Sequence, residues 1–112
     1  MRTPLRQQLL EQILHLIALC RPLVEAIGRR DRDLASQLRR ALSSVALNLA
    51  EGFGTQAGNA RLRFESALGS LYEAQAALRV AVAWGFISEE NSVTVLKAID
   101  GLGARIFGLL RH

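Results

Sequence analysis

The stretch 33-DLASQLRRALSSVALNLAEGFG-54 carries Leu34, Leu38, Leu42, Val45, Leu49 and Phe53 at steps of three and four residues. Wound as a helix, these positions stack into one apolar stripe with Ala41 inside it, so this side faces a core. The opposite side holds Ser36, Ser43, Leu47 and Ala50, small or apolar where an isolated surface helix would show charge. Those four residues are the candidate interface with further copies of the chain. Along the edge of the stripe Gln37, Ser44, Asn48 and Glu51 follow one another seven, four and three residues apart, and so line up as a polar row. With Glu73, at the margin of a later stripe, they are expected to form a structural polar network that fixes which helices touch.

Working outward, the upstream segment repeats the pattern. Leu9, Ile13, Leu16, Cys20, Leu23 and Ile27 form one stripe, opened by Thr3 as a cap and Pro4 as the first helical residue. The phase continues past Pro22, where a kink is expected. Arg29 to Asp33 make a short charged connector, with Asp33 as the expected cap of the central helix. Downstream, Gly52, Gly54 and Gly58 mark a chain reversal through positive φ. Asn59 is the expected cap of a third helix with Phe64, Leu68, Leu71, Leu78 and Val82 on one side. Ala67, Ala74 and Ala81 repeat every seven residues beside them, and the mid-helix Gly69 points to close packing. Gly85 ends that helix, Phe86 and Ile87 turn the corner as buried anchors, and Ser88 caps a last helix with Glu89 and Glu90 in its first turn. The fold class is all-α, an antiparallel up-down-up-down four-helix bundle in one domain, with helices at about 4–28, 34–53, 60–84 and 89–110.

Composition agrees with a bundle that buries more than its own core. Hydrophobic residues make up 50% of the 112 and aromatics only 5%, so the apolar content is Leu, Ala, Val and Ile, material for helices rather than sandwiches. No run approaches the roughly 20 apolar residues of a membrane span, and no leader pattern is read at the start. A cytoplasmic, membrane-free protein is expected. The single Cys20 excludes an internal disulfide framework and falls in phase with the core.

The net charge is +4, and every basic residue but Lys97 is arginine. Between residues 29 and 40 stand Arg29, Arg30, Arg32, Arg39 and Arg40 against Asp31 and Asp33. Such a patch suits phosphate, and equally the acidic groups of a protein partner. No reaction chemistry is visible. Glu-x-x-His pairs for a metal are missing around His15 and His112, and Ser43, Ser44, Ser66 and Ser70 have no positioned base. The glycine-rich loop lacks the GK[ST] of a phosphate cradle. Glu51 and Glu73 could serve as acid and base only across an open cleft. The expectation is no enzyme, no catalytic residues, no cofactor and no metal.

The run SQLRRALSSVALNLAEGFG resembles the S-Q-I-R-R-A-x-x-S-I-P-A-N-I-A-E-G-x-G signature of the four-helix bundle proteins encoded in intervening sequences of bacterial 23S ribosomal RNA genes. ALGSLYE at 67–73 is similar to that family's A-L-G-S-L-x-E, and WGFISEE echoes its turn into the last helix. Gln37, Arg39, Arg40, Asn48, Glu51, Gly52, Gly69, Ser70 and Glu73 carry the match. The resemblance implies a homopentamer and kinship with the accessory variability determinant proteins of diversity-generating retroelements, basic pentamers that bind nucleic acid and a reverse transcriptase. Ala46 stands where the family has proline, which implies a straighter central helix. The loop after Gly54 lacks the family's Arg and Lys, which leaves Arg29, Arg30, Arg32, Arg39, Arg40, Arg61 and Arg63 as candidate nucleic-acid contacts. The expected function is therefore a non-enzymatic homo-oligomer with a basic surface for RNA or DNA; the alternative is a protein-interaction scaffold.

Overall fold

The computed structural model describes residues 3–55 and 57–111. Four helices follow one another: α1 (Leu5–Gly28), α2 (Arg32–Phe53), α3 (Ala57–Trp84) and α4 (Glu89–Leu110). Gln56 of the glycine-rich loop and His112, one of the two histidines weighed as metal ligands, lie outside the described residues. Connectors this short make consecutive helices antiparallel neighbours. α1 packs on α2, α2 on α3, α3 on α4 and α4 back on α1, which closes an up-down-up-down bundle. Its long dimension of 42 Å is that of the 28 residues of α3 rising about 1.5 Å each.

The stripes meet as their spacing requires. Leu9, Ile13, Leu16, Cys20, Leu23 and Ile27 are all buried, as are Leu34, Leu38, Leu42, Val45 and Leu49, while Phe53 is half-buried at the end of α2. Ala67, Ala74 and Ala81 are fully buried, and their small size accounts for α2 and α3 sharing the most extensive interface. Twelve Leu and Ile side chains have essentially no exposure. Burying each is worth roughly 1.5–3 kcal/mol. The described ion pairs, Arg61–Glu65 and Arg63–Glu51, involve side chains about half exposed and contribute at most about 1 kcal/mol each. Apolar packing therefore holds the bundle. Polar clamps add register: Arg105 on α4 donates to Gln12 at 2.7 Å and Gln8 at 2.8 Å on α1, and Gln75 on α3 donates to Asp100 on α4 at 3.0 Å.

Several local expectations change. Asp31, not Asp33, caps α2, its carboxylate accepting from the Leu34 N–H at 3.0 Å. Asp33 instead sits in the first turn, where the helix dipole favours its charge. Pro4 is the N-cap rather than the first helical residue, and no side chain caps α1. As the continuous phase of its stripe requires, α1 stays helical through the exposed Pro22. Asn59 lies inside α3, which starts at Ala57. Among the described residues only Gly85 has positive φ, at 80°. Gly52 is instead a buried helical residue where a Cβ would overlap the Phe64 ring, so its role is close helix approach. Gly69 is exposed, with nothing within 4 Å of a Cβ placed there, so packing inside the subunit does not explain it. Ser88 does cap α4, accepting from the Asn91 N–H at 3.0 Å.

Candidate functional site

The outer face of α2 follows from its inner one. With Leu38, Leu42, Val45 and Leu49 turned inward, helical geometry sends Ser43, Leu47 and Ala50 outward, and all three are exposed, Leu47 at 65%. Ser36 is half-buried on the same side. Two open grooves flank this face and share Ser36, Arg39 and Ser43. The larger, about 1120 Å³, lies between the end of α1 and the start of α2 and is walled by Arg21, Arg29, Arg30, Arg32 and Arg39. Glu25, Asp31 and Asp33 also line it, leaving an excess of positive charge. The smaller, about 570 Å³, is lined by Leu47, Asn48, Glu51, Arg40 and Arg63.

The polar row divides. Ser44 and Ser70 hydroxyls hydrogen-bond across α2 and α3 at 2.8 Å, and the Asn48 amide donates to the Ser44 carbonyl at 2.9 Å and hydroxyl at 3.0 Å. This half-buried trio registers the two helices. Glu51 leaves it to accept from Arg63 at 3.0 Å. Gln37 and Glu73 are exposed and make none of the described side-chain hydrogen bonds or ion pairs. Ser70 was the partner that spacing on α2 alone could not name, since it lies 26 residues away.

The seven candidate arginines are all exposed but not equally free. Arg63 is engaged by Glu51; Arg61 lies 3.9 Å from Glu65 and donates to the Leu110 carbonyl, tying down the last turn of α4. Arg30 sits over the Phe86 ring, 5.4 Å from its centroid. Arg29, Arg32, Arg39 and Arg40 form no described ion pair and make up, with Arg30, the accessible basic surface. Sequence spacing missed what lies beside it. Trp84, in phase with Ala77 and Ala81, is 70% exposed and stacked on Phe86, ring centroids 6.4 Å apart and planes 16° apart. Phe86 is half-buried, not a fully buried anchor.

Among the described residues no three His, Cys, Asp or Glu side chains come together as metal ligands. Cys20 is buried, and loss of solvent pushes its thiol pKa up to about 11, which makes it a poor nucleophile. No helix of the described residues is long and apolar enough to cross a membrane.

The model of the 23S rRNA-intervening sequence protein family matches residues 11–108. The chain belongs to that family. A crystal structure of a protein of unknown function from the S23 ribosomal protein family of Bacteroides thetaiotaomicron VPI-5482 matches with a TM-score of 0.84. The match covers 93% of this family member and 99% of that chain at 13% identity, a likeness of fold. No curated protein sequence matches this family member.

Proposed function

We propose that this family member is a non-enzymatic homo-oligomer, five copies by its resemblance, that gathers its arginines into a surface for the phosphates of RNA or DNA. The observation that carries the reading is the outer face of α2, where Leu47 is 65% exposed among small residues and is bordered by accessible arginines. A second copy of the chain seated there would bury Leu47 against the uncharged Ser43 and Ala50, and would also cover part of the groove that Arg40, Glu51 and Arg63 line. Each copy brings a net charge of +4, so individually weak phosphate contacts would sum over the assembly. A reading without catalysis is supported by Glu51, which is held by Arg63 at 3.0 Å.

Fluorescence polarisation of labelled RNA and DNA at low salt tests this. Binding is expected that weakens linearly in log–log salt dependence, and Arg29→Gln with Arg32→Gln should flatten the slope by about two. Absence of binding at low salt would overturn the phosphate reading and leave a scaffold for acidic protein partners.

A further inference from the structure

The end of the bundle where α1 meets α2 and α3 meets α4 combines charge with an uncovered aromatic ring. α3 stops there in a specific way: the Phe86 N–H bonds to the Ala81 carbonyl and the Gly85 N–H to the Val82 carbonyl, each at 2.9 Å, around the positive φ of Gly85. This is a Schellman closure, which needs glycine at the reversing residue. It brings Phe86 back beside Trp84, the last residue of α3, so that the two rings lie nearly parallel. The Arg30 guanidinium lies over the same Phe86 ring. Arg30 is also a wall of the basic groove with Arg29 and Arg32. The indole is thus oriented by a fixed neighbour, 70% open to solvent, and one ring away from the accessible positive charge.

We infer that this end of the bundle binds single-stranded nucleic acid, one unpaired base stacking on Trp84 while neighbouring phosphates meet Arg29, Arg30 and Arg32. The inference rests on the phosphate-binding reading above and narrows it to strand type. Bases in a duplex already stack on each other, so only an unpaired base can spread its face on an exposed indole. Stacking tolerates any base, so selectivity for sequence is not expected. The excess arginine favours a polyanion over an uncharged apolar partner.

Trp84 is the chain's one tryptophan, so tryptophan emission, excited selectively over that of Tyr72, reports this site alone. The full chain is titrated at low salt with a homopolymer single strand of about 12 nucleotides and with a duplex of the same length, following both polarisation and Trp84 emission. Single strand should quench the emission with the midpoint seen in polarisation; duplex should bind with little quenching. Trp84→Ala should weaken single-strand binding by about 5- to 150-fold while leaving duplex affinity and the salt slope unchanged, and Trp84→Phe should restore most of the loss. Single-strand binding with unchanged emission and an unaffected Trp84→Ala variant would overturn the stacking role yet leave phosphate binding standing. No binding of either polymer would remove both. An emission blue shift that tracks protein concentration without nucleic acid would assign Trp84 to contact between copies instead, and would also overturn it.

Discussion

Replacing Gly52 by alanine should destabilise the bundle although the same change elsewhere in a helix stabilises it. Alanine gains about 1 kcal/mol over glycine in a helix interior. At Gly52 the new Cβ would lie 2.8 Å from Phe64 Cδ1 and closer still to Cε1. Phe64 is 9% exposed and packs against Phe53 at 5.0 Å between centroids, so the ring has little room to swing away. Overpacking of this kind costs about 1–3 kcal/mol, and with the helical gain of about 1 kcal/mol subtracted the net loss is up to about 2 kcal/mol. For a chain of this size, at about 4 °C per kcal/mol, that lowers Tm by up to about 8 °C. Gly69→Ala is the control, because its Cβ meets nothing within 4 Å; it should raise Tm by about 4 °C. Thermal melts by circular dichroism at one protein concentration compare them. Placing Gly52→Ala in a Phe64→Leu background should remove the penalty. A Gly52→Ala protein that melts as high as Gly69→Ala would refute the close approach of α2 and α3 at this point.

Cys20 should resist thiol reagents in the folded protein and react at once in denaturant, and equal rates in the two states would show that it is not buried. Its pKa is raised on folding, so stability should be full below about pH 9, the ordinary value of 9.0, and fall as pH rises through about 11; Cys20→Ala should lack that slope in urea melts. Glu51→Gln should change stability by less than about 1 kcal/mol, because the pair is half exposed. It also frees Arg63, so under the phosphate reading it should tighten RNA binding and steepen the salt slope by about one; unchanged binding would place Arg63 outside the contact surface. Ser44→Ala leaves Asn48 with the Ser44 carbonyl but removes the link to Ser70, and should cost about 1 kcal/mol in a urea melt. No measurable loss would mean the trio does not register α2 against α3.

What could be read from residues is what repetition enforces. A core-facing residue every three or four positions leaves one solution for each helix, and Leu9 to Ile27 and Leu34 to Leu49 went into the core as their phase demands. Termini were less legible because capping chemistry is shared: Asp31 and Asp33 are the same residue type two positions apart, and only the path of the connector selects between them. The polar row was half legible. Ser44 and Asn48 stand together, but the third member, Ser70, is set by interhelical register, and Glu51 is drawn off by Arg63 from α3. Gly52 and Gly69 look alike in sequence, yet one is under a phenyl ring and the other faces open space. Trp84 keeps the phase of Ala77 and Ala81 and is nonetheless open, because at a helix end burial depends on how far the neighbouring helices reach.

The outer face of α2 is the feature on which the proposed assembly turns, and mass in solution probes it most directly. Light scattering on dilute protein should give a multiple of the 12.3 kDa chain, five copies under the proposal, and Leu47→Arg should reduce it toward the single-chain value. A stable 12.3 kDa species in the unmodified protein, with Leu47 left in water, would contradict it.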